Sequence, residues 1–278
     1  MRLAAARNVL KAWLLVALLA APAGLVGYAL NGWNGVTLFV FCSLLAAAAV
    51  YAYGDRALLG MLGAREYALA EDPLLRSSVD ALAAKLGVLP PRLYLIADGF
   101  PRAFAAGRGP QGSSLAVSTG LLGALPPREL EAVLAHELAH VRARDVLVQT
   151  LAVMLAVALV DLSRLGGWFE RPLRAVLSPV AAAFVHLLLS PKRELAADRL
   201  AAGVCSSPHD LADALLRLDR ASELVSFAAH PATEPLYTVD PFAPEGLSTL
   251  FSTHPPLAER VARLRALAPD VRGNGRAA

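Results

Sequence analysis

The chain has 278 residues, 56% of them hydrophobic and 18% charged, with a mean hydropathy of +0.50. That excludes a disordered chain, which needs low hydrophobicity and high charge, and departs from an ordinary soluble enzyme, where about a quarter of residues are charged. With 26 basic and 23 acidic residues the net charge is +3, no basic stripe with interleaved aromatics calls for a nucleic-acid partner, and the isolated Cys42 and Cys205 make neither a disulfide scaffold nor a thiolate zinc site.

Ala12 to Leu30 is nineteen residues without a charge, and Val36 to Tyr53 is another eighteen. Each is long enough to cross a hydrocarbon core as a helix. Asn31-Gly32-Trp33-Asn34-Gly35 between them reads as a tight turn, with Trp33 suited to a water–lipid interface. Arg2, Arg7 and Lys11 precede the first run, Arg56 and Arg65 follow the second, and the turn has no basic residue. The positive-inside rule then puts both ends of the hairpin in the cytoplasm. Ala21-Pro22-Ala23 offers a competing signal-peptidase site, but cleavage there leaves the second span crossing in the same direction.

After the hairpin, Asp72-Pro73 starts a helix that runs from Leu74 to Leu86 and stops at Gly87. Arg92 to Ile96 reads as a short strand, Pro101 to Gly112 as a loop, and Ser114 to Ser118 as a second strand. Pro126-Pro127 opens a strong helix with Glu129 and Glu131 in its first turn. Beyond Asp145 two apolar segments, 146–160 and 175–189, are each fifteen residues long. They read either as two short membrane helices or as one buried helical hairpin. Ser207-Pro208 caps a helix to about Leu224, Phe227 to Thr249 reads as a surface loop, and Pro256 to Leu267 as a closing helix.

The helix opened by Pro126-Pro127 carries His136-Glu137-Leu138-Ala139-His140, an H-E-x-x-H pattern. A spacing of four puts both imidazoles on one face, where they can share a tetrahedral zinc ion. Glu137 beside them can serve an attacking water as general base. Leu134, Ala135, Leu138, Ala139 and Val141 surround the motif, and burying two His and a Glu there without a partner is costly. A catalytic zinc wants a third protein ligand, and no third His follows at the metzincin spacing. Glu194-Leu195-Ala196-Ala197-Asp198 supplies two carboxylates on one helical face, one to bind metal and the other to orient a ligand imidazole. His186, His209 and His230 read as structural or solvated.

Four blocks resemble the HtpX-type membrane zinc metallopeptidases, relatives of the CAAX prenyl endopeptidases: the N-terminal hairpin; Ser118 to Leu122 leading into Glu129 to His140; Arg193 to Asp198; and Leu250 to Pro256 with Glu259-Arg260-Val261. Their order and spacing match across nearly the whole chain. The resemblance implies that His136, His140 and Glu194 bind one zinc ion per chain, a gluzincin-like set, that Glu137 is the catalytic base, and that Asp198 supports His136. It also brings His254 and Arg260 toward the site, where either has the chemistry to stabilise an oxyanion. Three departures mark a divergent member: Arg102 and Ala143 stand where the family tends to have Asn, and Leu195 where it has Tyr. The first Asn is associated with substrate contacts, which makes Arg102 a substrate-binding candidate.

The expected architecture is a mainly α membrane protein with a zincin-like α+β metallopeptidase domain and a short β-sheet beside the H-E-x-x-H helix. A transmembrane hairpin occupies residues 1–54 and the zinc metallopeptidase domain residues 55–278. The expected activity is endopeptidase cleavage of unfolded or damaged membrane proteins at a bacterial-type cytoplasmic membrane, with several spans and the catalytic domain on the cytoplasmic side. The strand of Ser114, Leu115, Ala116, Val117 and Ser118, if an edge, holds extended substrate by strand addition. The rivals are a CAAX-type processing protease and a membrane scaffold that binds zinc without turnover. The oligomeric state stays open.

Overall fold

A computed structural model describes residues 2–68, 71–162, 167–175, 177, 191–224 and 255–267. The first helix, α1 (Arg2–Met61), is interrupted only at Asn31 and Gly32, where the backbone leaves helical space. Gly27 and Gly35 meet there so closely that a Cβ on Gly35 would lie 1.9 Å from the Gly27 carbonyl oxygen. Residues eight apart on a straight helix are more than two turns apart, so the chain reverses and the two arms pack antiparallel. The hairpin therefore forms with a turn shorter than the five residues the sequence suggested. Leu25, Leu30, Trp33 and Phe41 are exposed on it, and Leu10–Met61 is apolar and long enough to cross a membrane.

The remaining elements are β1 (Arg65–Glu66), α2 (Pro73–Leu86), β2 (Arg92–Ile96), β3 (Ala103–Gly109), β4 (Gly112–Ser118), α3 (Thr119–Ala124), α4 (Pro127–Ala143), α5 (Asp145–Leu162), α6 (Pro191–Ala202), α7 (Pro208–Leu224) and α8 (Leu257–Arg265). Helix α2 starts and stops as expected: Asp72 accepts the Leu75 N–H at 2.9 Å, and Gly87 closes it at φ 66°. A left-handed closing residue costs glycine least, because a Cβ would crowd the following carbonyl.

The four strands lie in the order β1-β2-β4-β3, with β2 parallel to β4 and the other two pairs antiparallel. Alternation of side chains divides the sheet between two cores. Leu93, Leu95, Ala103, Ala105, Leu115 and Val117 face one core with α2 and α4. Ile96, Phe104, Ala106 and Ala116 face the other, with Leu58 and Leu59 of α1 and Val148, Ala152, Val153, Ala156 and Val157 of α5. Of the two short apolar segments, 146–160 thus forms α5 and packs on the sheet and α1, while nearly all of 175–189 lies outside the described residues, as does the loop expected at 227–249.

Two expectations need correction. The stretch Pro101 to Gly112 is not a loop throughout, because Ala103–Gly109 pairs with β4. Its residues are small and glycine-rich, and pairing plus burial on both faces make the strand in spite of weak local preference. The strand Ser114 to Ser118 is not an edge: Arg92–Ile96 pairs with it on one side and Ala103–Gly109 on the other. The edges are the two-residue β1 and the longer β3, and β3 is the edge that meets α4.

One close approach fixes the loop between β2 and β3 against α3. A Cβ on Gly120 would lie 2.1 Å from the Gly99 carbonyl oxygen, and the Gly120 N–H donates to the Asp98 carbonyl at 2.8 Å. Gly120→Ala is expected to destabilise the fold by about 1–3 kcal/mol, the usual cost of overpacking, read as a lower thermal midpoint in detergent; an unchanged midpoint refutes it.

Candidate metal centre

Three helices converge on one point. Helix α4 brings His136, Glu137 and His140, α6 brings Glu194 and Asp198, and α8 brings Arg260; all six are buried. Pro127 at the first helical position, with its missing N–H, suits the start of α4. The four-residue spacing then sets the two rings one turn apart, with Nε2 atoms 3.2 Å from each other. Glu194 completes the set: one carboxylate oxygen is 3.3 Å from His136 Nε2 and the other 3.4 Å from His140 Nε2. Zinc bonds of about 2.1 Å at tetrahedral angles separate ligand atoms by about 3.4 Å, a spacing close to that between the two Nε2 atoms and between each of them and its nearer Glu194 oxygen. Among the described residues His136, His140 and Glu194 are the one group of three such side chains placed to hold a metal ion.

The charges around this cluster also favour a cation. Burial pushes the His136 imidazolium toward losing its proton, but Asp198 and Glu194 outweigh that and raise its pKa. For His140, burial is likewise outweighed by Glu194 and Asp145, and the pKa rises to about 10. Imidazoles in such a field hold either protons or a metal ion. Burial raises the pKa of Glu137, and the Ala105 N–H bonded to it at 3.1 Å opposes the rise. A carboxylate shifted upward is the better proton acceptor near neutral pH.

Outer partners hold each ring from behind. His136 Nδ1 lies 3.0 Å from Asp198. Asp198 is in turn gripped by Arg260, with Nε at 2.9 Å from one oxygen and Nη2 at 2.7 Å from the other. The guanidinium of Arg260, for which the family resemblance suggested an oxyanion role, is thus engaged two-fold by Asp198, behind His136. His140 Nδ1 donates to Asp145 at 3.1 Å, a contact the sequence reading missed because Asp145 marked only the boundary of an apolar run. An acid five residues past the second His, at the mouth of such a run, was the available signal.

The other predicted residues fall as follows. Arg102 is buried at the entry to β3 and pairs with Asp98 at 2.8 Å, while its N–H donates to Ser118 Oγ at 3.0 Å. Ser118 caps α3 by accepting the Leu121 N–H at 3.0 Å, and Ser114 Oγ donates to Asp55 at 3.1 Å. These serines serve the scaffold, not the metal site. His209 stands in the first turn of α7, its N–H donating to Ser207 Oγ at 3.2 Å. His254, His186 and His230 lie outside the described residues.

The family model described as peptidase family M48 matches residues 69–268. A protease HtpX homolog of Pelotomaculum thermopropionicum is 39% identical over 279 residues, covering 94% of this chain and 99% of that protein. One of Acidiphilium cryptum is 41% identical over 278 residues, covering 94% and 97%, and one of Pyrococcus abyssi is 36% identical over 263 residues, covering 88% and 91%. The crystal structure of S. mikatae Ste24p aligns with a TM-score of 0.49 at 17% identity, over 93% of this chain and 65% of that one.

Proposed function

The chain belongs to peptidase family M48 and is a membrane metalloprotease of the HtpX type, and from that premise we propose that it is a zinc-dependent endopeptidase acting on extended segments of unfolded or damaged membrane proteins. The observation that carries the proposal is the cluster of His136 Nε2 and His140 Nε2, 3.2 Å apart, with one Glu194 oxygen 3.3 Å from the first and the other 3.4 Å from the second, and Glu137 next to it in sequence. His136, His140 and Glu194 would hold one zinc ion per chain. When bound, zinc supplies a Lewis acid that acidifies water and polarises a peptide carbonyl. Glu137 takes the proton of the attacking water and returns it to the leaving amine. The Ala105 N–H aims the Glu137 carboxylate. Asp198 and Asp145 orient the two imidazoles through Nδ1, so that both Nε2 atoms face the Glu194 carboxylate and would be free to bind the ion.

The edge strand β3 is the surface we assign to substrate. Ala105 turns its N–H outward to Glu137, and in an antiparallel strand the carbonyl of the same residue points to the same side. A peptide laid along β3 thus has its backbone beside Glu137. The hairpin supports a location at a bacterial-type inner membrane, and the positive-inside pattern of its flanks supports a cytoplasmic catalytic domain. The test is cleavage of an unfolded model protein by detergent-purified full-length chain, with metal content measured on the same sample. Zinc near one per chain, with cleavage lost on chelation and restored by zinc, supports the reading. Folded protein that takes up no zinc refutes it.

A further inference from the structure

Helix α5 reaches three parts of this site within its first six residues. Asp145 accepts the His140 Nδ1–H at 3.1 Å. Gln149 Oε1 accepts from Arg193 Nη1 at 2.8 Å, and Arg193 Nε lies 3.3 Å from Glu194. Thr150 Oγ1 accepts the Gly107 N–H of the edge strand at 3.1 Å. All three α5 residues are buried. Farther along, α5 is anchored by Val153, Ala156 and Val157 in the core shared with Leu58 and Leu59, and Thr150 and Met154 line the position of Gly54 in α1.

The chain enters α5 in a way that makes the first contact possible. In an unbroken helix Asp145 would sit about 140° around the axis from His140, facing away from it. Arg144 breaks the helix instead, at φ 61°, the only positive φ of a non-glycine among the described residues. Such a conformation is strained for a side chain with a Cβ and persists where the surroundings enforce it. Here it returns the Asp145 carboxylate to His140. At the other contact, Gly107 has φ 127° and stands at a register shift in β3, so Thr150 pins the edge strand where its ladder is irregular.

We infer that Asp145, Gln149 and Thr150 are positioning residues, each acting through a different part of the site: Asp145 through the His140 ring, Gln149 through Arg193 on Glu194, and Thr150 through the backbone of the substrate edge. The inference rests on the metallopeptidase reading above. It makes α5 the link between the membrane hairpin and the catalytic geometry, since the same helix packs against α1.

The experiment compares full-length wild type with Asp145→Asn, Gln149→Met, Thr150→Val and Thr150→Ser in detergent. Zinc affinity is measured by competition with a chromophoric chelator, and kcat and KM are measured with an extended fluorogenic peptide. Asp145→Asn is expected to weaken zinc binding about 10- to 100-fold, and Gln149→Met to weaken it less, both with KM unchanged. Thr150→Val is expected to raise KM about fivefold, the loss of one buried hydrogen bond, with zinc affinity unchanged; Thr150→Ser restores KM. Variants that lower only the melting temperature overturn the inference. So do variants that lose zinc affinity and peptide affinity together in equal proportion. Wild type that takes up zinc without cleaving still leaves Asp145→Asn to decide the matter by zinc affinity. Wild type that takes up no zinc refutes the zinc-dependent reading on which the inference rests.

Discussion

Glu137→Gln is expected to abolish cleavage while leaving zinc content at the wild-type level. The amide has the size of the carboxylate, and its oxygen can still accept the Ala105 N–H that bonds Glu137 at 3.1 Å. The proposed metal ligands His136, His140 and Glu194 are untouched, so the variant should fold and bind zinc. What it lacks is a group that takes a proton from water. Burial raises the Glu137 pKa from its ordinary value, which strengthens it as a base and makes the loss on substitution larger. General-base catalysis contributes about 10²- to 10⁴-fold, and kcat should fall by at least that factor. KM for an extended peptide should stay near wild type, because the β3 edge is unchanged. Measurement of kcat, KM and zinc on one preparation checks this, and a variant that cleaves at a rate within tenfold of wild type removes Glu137 from the mechanism.

The parts of this site that were legible in the sequence are those written in local spacing. H-E-x-x-H is readable because a helix turns once in 3.6 residues, and Glu194 with Asp198 is readable for the same reason. The caps of α2 are local as well. What could not be read depends on pairing at a distance. Ala103–Gly109 carries few of the branched or aromatic residues that mark strands, and becomes one by pairing with β4. That β3 is an edge and β4 is not follows from β4 pairing with both β2 and β3, an order that no local pattern encodes. Arg260 was placed near the site, but its partner lies 62 residues away in sequence, and only the fold shows that Asp198 occupies it. Asp145 went unassigned because its contact depends on the left-handed conformation of Arg144, and no glycine announces that break.

Arg260→Ala is expected to cost more stability than any other single change at the site. The guanidinium and the Asp198 carboxylate are both buried and joined by two bonds of 2.9 and 2.7 Å. Removing one partner of such a pair strands the other charge, at a cost of about 3–5 kcal/mol. Asp198 also stands 3.0 Å from His136 Nδ1, so the loss should reach the metal, with zinc affinity falling about 10- to 100-fold as for other partners of ligand imidazoles. Burial alone would raise the Asp198 pKa, but the Arg260 charge and the bonds from His136 and Arg260 outweigh it and hold the value down to about 2. A carboxylate depressed on folding stabilises the protein above its unfolded pKa, about 3.9, and that contribution is lost as the pH falls through the folded value. Wild type should therefore keep this share of its stability above about pH 4 and lose it toward pH 2. In Arg260→Ala the depression is relieved, so acid unfolding should begin at higher pH. Arg260→Lys keeps the charge without the two-pronged geometry and should fall between the two. The thermal midpoint as a function of pH, together with zinc affinity at neutral pH, reads both effects. An alanine variant that melts and binds zinc like wild type would show that Asp198 holds His136 without help from α8.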